Sequence, residues 1–95
     1  MPVLNFSYTT IKDMAAFKEY LDKASVLMQR HDVETVVRRT YRTAFRSTSK
    51  GPHFTAVSRY EDMESAMRFY QSVAYRNLIE LRNAASEMEI QFHDE

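Results

Sequence analysis

The 95 residues include no cysteine and no tryptophan, one glycine and two prolines, and thirteen basic residues are matched by thirteen acidic ones. Each shortage removes a class of function. Without thiols there is no disulfide, no thiolate nucleophile and no zinc site built on sulfur, and a reducing compartment suits the chain. Balanced charge leaves no overall field to draw it to nucleic acid or to an anionic membrane, so such binding would need a local patch. A lone glycine, Gly51, cannot build a phosphate-binding loop. His31, His53 and His93 lie far apart with no short ligand spacing, which argues against a metal site. The opening stretch, MPVLNFSYTT, has neither a basic leader nor an apolar run of the length that a signal peptide or membrane span requires. The expectation is a cytoplasmic protein with no membrane partner.

What remains is an ordinary globular composition, 44% hydrophobic with six phenylalanines and six tyrosines. Residues 1–95 are read as one domain. A domain of this size buries only about 60–65% of the surface of its unfolded chain, so its stability margin is thin and oligomerisation would help it.

The pattern alternates between two periods. VLNFSYTT, residues 3–10, sets Leu4, Phe6 and Tyr8 against Val3, Asn5 and Ser7, as in a half-buried strand. Met14, Phe17, Leu21, Ala24 and Met28 then recur at spacings of three and four, the stripe of an amphipathic helix, with Thr10 and Asp13 resembling a capping box. ETVVRRTYRTAF is rich in β-branched and aromatic residues and reads as a second strand, and STSKGP as a turn. HFTAVSRY alternates again before Asp62, a candidate helix cap. Met63, Ala66, Met67 and Tyr70 form the next stripe, Ser72 can restart the helix, and Tyr75, Leu78, Ile79 and Arg82 continue it. EMEIQFHDE closes as a fourth, shorter strand.

The order βαββαβ is the ferredoxin-like α+β plan, with helices on one face of an antiparallel sheet. Leu4, Phe6, Phe54, Tyr60, Ile90 and Phe92 are the side chains expected beneath the helices. Asn5, Ser7, His53, Arg59 and His93 are expected on the opposite, polar face.

Within this frame YEDMESAMRFYQSVAYRNLIELRNAA, residues 60–85, resembles the signature of a small bacterial domain of unknown function, number 1330 in its series, within the dimeric α+β barrel superfamily. Phe69, Tyr70, Ser72, Tyr75, Leu81, Arg82 and Ala85 carry the match, and DMAAFKEY, residues 13–20, is similar to the family's first helix through Asp13, Phe17, Glu19 and Tyr20. The family usually has glycines after that helix and in the second strand, where this chain has His31, Asp32 and TVVRRTYR. It often has a glutamate where Arg59 stands here. The resemblance implies a homodimer whose two sheets pack face to face as a barrel. It also implies kinship with proteins that bind or oxidise small molecules without a cofactor.

Arg82 is the oddity of the sequence, an arginine on an apolar stripe. Its guanidinium could clamp an anion beside Tyr75, or its stem could simply cover apolar surface. Arg38, Arg42 and Arg46 share a strand face and either bind phosphates or block edge pairing. The six methionines read as flexible core filler. SKGPHFTAVSRYEDMESAM has the cadence of an RNA-recognition domain, but its stacking positions would be Thr55 and Val57, which offer no π face, so nucleic acid is not the expected partner. The expected function is binding of a small organic molecule in a polar cavity between sheets, with Asn5, His53, Arg59, Tyr75 and Arg82 as the site. The alternative is a cofactor-independent oxygenase or isomerase on the same cavity. No catalytic residue is assigned, and neither a metal nor a cofactor is called for.

Overall fold

The computed structural model describes residues 1–40 and 54–95. The turn expected at STSKGP, together with His53, Arg42 and Arg46, lies outside them. The element order is β1 (Val3–Ile11), α1 (Met14–Arg30), β2 (Glu34–Thr40), β3 (Phe54–Tyr60), α2 (Met63–Tyr70), α3 (Val73–Arg76), α4 (Ile79–Ala85) and β4 (Ser86–Asp94). The strands form one antiparallel sheet in the order β2-β3-β1-β4, the ferredoxin-like arrangement expected from the sequence. β4 is not the short closing strand of that reading. It pairs with β1 along the whole length of both, from Val3 opposite Asp94 to Ile11 opposite Ser86.

Capping side chains set the helix boundaries. Asp13, not Thr10, caps α1, its carboxylate accepting the Ala16 N–H at 3.1 Å, while Thr10 stays in β1. Asp62 does the same for α2 through the Ser65 N–H at 2.7 Å, and this bond holds its carboxyl below the usual range. Ser72 accepts the Tyr75 N–H at 3.1 Å and donates to the Phe69 carbonyl at 2.7 Å. The helix therefore stops and restarts at Ser72, as expected. The second run then divides again near Leu78 into α3 and α4.

Helices and sheet share one core of Val3, Phe17, Tyr20, Ala24, Leu27, Tyr60, Ala66, Phe69, Tyr75, Leu78 and Ala85. Burying one large apolar side chain of this kind contributes about 1.5–3 kcal/mol. Met14, Met63 and Met67 lie outside the core and are exposed, so methionine serves as core filler only at partly buried positions such as Met28 and Met88.

The faces of β1 are the reverse of the expectation. Val3, Asn5 and Thr9 are buried beneath the helices with Ser7 beside them, whereas Leu4, Phe6 and Tyr8 lie on the open face. Register makes the assignment consistent, since Asn5 stands opposite Ser58 and Phe92, and Phe6 opposite Val57 and Gln91. The reason is volume. Four helical segments crowd rings of Phe17, Tyr20, Phe69, Tyr70 and Tyr75 against the centre of the sheet, and only short side chains on the central strand leave room for them. The open face is consequently the more apolar one at its centre, and the polar side chains gather between sheet and helices.

Where the family usually places glycine after the first helix, the chain turns at Asp32 with φ 56°, in the left-handed region that favours glycine. The Asp32 N–H reaches the Gln29 carbonyl and the Val33 N–H reaches that of Met28 at 3.0 Å, closing α1 in a Schellman motif. Aspartate tolerates this conformation at a cost. Asp32→Gly is therefore expected to raise the unfolding free energy by about 1 kcal/mol, measured by urea denaturation. A loss of stability would show that the Asp32 side chain supports the turn.

Candidate functional site

The inward face of β1 supplies a row of short polar side chains. Ser7 Oγ donates to Asn5 Oδ1 at 2.8 Å, and Asn5 Nδ2 donates to the Tyr70 hydroxyl at 2.5 Å. Among the described residues Thr9, at 1% exposure, has no hydrogen-bond partner for its hydroxyl. A buried hydroxyl without a partner costs on the order of 1–3 kcal/mol, so this position calls for an explanation.

Thr9 lines a cavity of about 70 Å³ between α1 and the sheet. Its walls are largely apolar, with Phe17, Leu21, Ala24, Met28, Phe54 and Met88. The polar lining is hydroxyl: Ser7, Thr9, Ser25, Ser58 and the tyrosines Tyr20, Tyr60, Tyr70 and Tyr75. Arg38 is the charged residue at its edge, with its guanidinium carbon 6.0 Å from the centre of the Phe54 ring. This volume is several times the ~10–15 Å³ that one water needs.

The tyrosines form a connected group. Tyr20 and Tyr75 join hydroxyl to hydroxyl at 2.9 Å, and Arg82 Nη1 donates to Tyr75 Oη at 3.1 Å. The Tyr70 and Tyr75 rings meet edge to face at 4.8 Å, and Tyr60 packs on Tyr70 at 6.3 Å. Arg82 is engaged by groups of its own chain, with Nε donating to Asn83 Oδ1 at 3.3 Å as well. Its guanidinium carbon lies 5.9 Å from the Tyr75 ring centre, a cation–π arrangement, while the fork end reaches the hydroxyl group. The Ser72 hinge fixes the backbone of Tyr75, and Ser86 Oγ donates to the Arg82 carbonyl at 2.9 Å where α4 ends.

Burial raises the pKa of Tyr20 and Tyr60 far above the tyrosine range, reinforced by Tyr75 for the first and Tyr70 for the second. Burial also pushes Tyr70 up to about 12, against the opposing pull of its hydrogen bonds from Tyr60 and Asn5 and of the Arg82 charge. These phenols are neutral donors and acceptors over the whole physiological range.

Of the residues picked from sequence, Asn5, Tyr75 and Arg82 are brought together in this hydroxyl network. Arg59 is not. It lies on the open face, where Nε and Nη2 meet both Glu95 carboxylate oxygens at 2.7 and 2.6 Å and Nη1 pairs with Glu34. That engagement raises the Arg59 pKa and lowers that of Glu95. His53 lies outside the described residues. His93 sits on the open face, edge to face with Phe6 at 5.2 Å. Within the single chain the described cavity lies between sheet and helices, because the short side chains of β1 point that way.

Sequence reasoning passed over Thr9, Tyr20, Tyr60 and Tyr70 as site residues. The available signal was that three tyrosines sat at core positions, where each hydroxyl needs a partner. Arg38 was noted only as part of a strip. A second cleft of about 290 Å³ is lined by Arg30, His31, Asp32, Tyr60, Glu61, Ser65 and Arg68. Its charges are mixed and most are exposed. Among the described residues no group of three His, Asp or Glu side chains could hold a metal ion, and no helix is long and apolar enough to cross a membrane.

The chain belongs to the family described as Domain of unknown function (DUF1330), whose model matches residues 3–94. No curated protein matches it significantly in sequence. A protein of unknown function from Rhodopseudomonas palustris superposes with a TM-score of 0.86 at 10% identity, over 97% of this chain and 80% of that one. SnoaB, a cofactor-independent oxygenase from Streptomyces nogalater, gives 0.73 at 15% identity over 99% and 92%. A dabb family protein with a ferredoxin-like fold from Mesorhizobium loti gives 0.73 at 13% identity over 99% and 96%. Identities this low establish a shared fold, which agrees with the ferredoxin-like expectation.

The raised phenol pKa values fix a direction for stability at alkaline pH. In the unfolded chain a tyrosine ionises near ~10, whereas folded Tyr70 ionises at about 12 and Tyr20 and Tyr60 higher still. Their contribution is therefore complete below pH ~10 and is lost as pH rises through the folded values. Chemical denaturation followed across that window should show falling stability, with tyrosinate absorbance appearing in step with unfolding. Arg82→Met should move the Tyr20 and Tyr70 ionisations further up, since the guanidinium lowers both.

Proposed function

We propose that the chain is a small-molecule-binding protein, working as a homodimer in the cytoplasm, with the ligand held in the cavity between α1 and the sheet of each protomer. The observation that carries this reading is Thr9: a hydroxyl at 1% exposure, without a partner, on the wall of a cavity otherwise lined by apolar side chains and tyrosines. Ligand sites are commonly apolar clefts with a few converging polar groups, and this cavity has that composition. No cofactor is required for binding of this kind. A panel of small aromatic compounds titrated into the protein should displace the NMR resonances of Thr9, Tyr20 and Tyr75. Ala24→Leu, which fills the cavity from the buried side of α1, should abolish those displacements while the protein stays folded. If no compound moves these resonances, or if Ala24→Leu responds like the parent, the ligand site is elsewhere.

The homodimer follows from the open face. Leu4, Phe6, Tyr8 and Val57 cluster there with Val37, which is 38% exposed, on a small domain that gains from burying further apolar surface. Sedimentation at micromolar concentration should give twice the chain mass for the parent and a single-chain mass for Phe6→Glu. A parent that runs as a monomer would remove the dimer from the reading.

A cofactor-independent oxygenase or isomerase is the second reading, and the likeness in fold to SnoaB favours it. Here the hydroxyl network beside Arg82 would stabilise negative charge on a substrate oxygen. Oxygen consumption on adding an electron-rich phenol would separate catalysis from binding alone.

A further inference from the structure

The tyrosine network leaves hydroxyl hydrogens for which the described residues show no acceptor. Tyr20 and Tyr75 share one hydroxyl–hydroxyl bond, and that bond uses one of their two hydrogens whichever way it runs. Arg82 adds a donor to Tyr75 and has no acceptor to offer. One hydroxyl hydrogen of this pair is therefore left over. Tyr70 accepts from Asn5, and its own hydroxyl hydrogen has no acceptor recorded among the described residues. Thr9 adds a hydroxyl with no partner among the described residues. No carboxylate and no imidazole lines the cavity among the described residues.

Positive charge stands at two places around this donor surplus. Arg82 is hydrogen-bonded behind Tyr75, and Arg38 is at the cavity edge on β2. The described residues give Arg38 no carboxylate partner; its recorded contact is the Phe54 face at 6.0 Å. Arg38 reaches the helix side because β2 carries a bulge. Pairing shifts between Thr35, opposite Ser58, and Val37, opposite Val57, so Arg38 falls opposite inward-facing Ala56.

We propose that the cavity selects, among small planar apolar molecules, those bearing an acceptor-only oxygen group, a carboxylate or an enolate, with that group on Thr9 and the tyrosine hydroxyls and its charge balanced by Arg38. This rests on the reading of the cavity as a ligand site and adds the chemistry of the ligand. Unused hydroxyl hydrogens are donors without acceptors, and an anionic oxygen supplies the acceptors in a charge-assisted form. A cationic head group would meet the positive charges of Arg38 and Arg82 and be repelled. At about 70 Å³ the space is roughly half the ~150 Å³ that holds benzene, so the apolar walls of Phe17, Leu21, Phe54 and Met88 must yield around the planar body as it binds.

Four probes of nearly one shape test this: benzoate, benzyl alcohol, toluene and benzylammonium, each titrated by NMR into the parent protein, Thr9→Val and Arg38→Gln. Expected affinity falls in the order given. Thr9→Val keeps the side-chain shape and removes the hydroxyl, so benzoate should weaken by on the order of tenfold while toluene is unchanged. Arg38→Gln should also weaken benzoate selectively, and added salt should reproduce that loss in the parent. Toluene and benzylammonium binding as tightly as benzoate would overturn the selection and leave the site standing. A benzoate preference unaltered in both variants would likewise overturn it. Failure of all four probes to bind would overturn the cavity as a ligand site and this inference with it.

Discussion

The structure depends on a mismatch along β1. Its buried face is made of short polar side chains, Asn5, Ser7 and Thr9, and a sheet can turn such a face inward only if the helices bring partners for it. The helices do so with tyrosine, whose ring fills the space that short strand residues leave and whose hydroxyl supplies the missing hydrogen bond. Tyr70 from α2 does so for Asn5, while Tyr20 from α1 and Tyr75 from α3 bond to each other beside it, and Ser72 is placed to turn the chain between Tyr70 and Tyr75. The cavity is the remainder of this arrangement. Rings are rigid and hydroxyls are few, so neither the volume nor the hydrogen-bond count closes at Thr9.

The same mismatch explains what the sequence made legible. Strand and helix periods were clear, and so were Asp62 and Ser72, whose capping chemistry is local. Which face of β1 turns inward was not. Alternation shows that Leu4, Phe6 and Tyr8 share a side, and the usual inference assigns the larger apolar side to the core. Here two surfaces compete for apolar residues, the helix layer and the open face, and a period of two cannot say which receives them. The division of the last helical run near Leu78 was also hidden, because Tyr75, Leu78, Ile79 and Arg82 keep helical spacing through the break.

Among the candidate residues, Arg82 stood out because an arginine on an apolar stripe violates the pattern, whereas Asn5 was picked for a polar face expected to turn away from the helices. Tyr20, Tyr60 and Tyr70 conform to the pattern as aromatic core residues, so their role emerges only from hydroxyl distances. Arg59 was read as a ligand residue from its place on a polar face. In the folded chain its fork is occupied by Glu95 and Glu34, the first from the end of the chain and the second from β2. This exposed clasp ties β2, β3 and the C-terminus together at one rim of the sheet and adds little net stability by itself, as solvent screens it.

The bulge in β2 carries a consequence for how sequence length maps onto chemistry. In a regular ladder Val36 would pair with Val57, sending Val37 toward the helices and Arg38 toward the open face. The extra residue exchanges these two assignments. Because β2 is paired on one edge only, its register is held by β3 alone. Loss of that extra residue's bulge would therefore replace the cation at the cavity rim with Val37 and put Val36 opposite Val57 in one movement. The two faces of the sheet cannot vary independently at this strand: an insertion or deletion that alters the register rewrites both at once, whereas substitutions at Val37 or Arg38 alter one and spare the other.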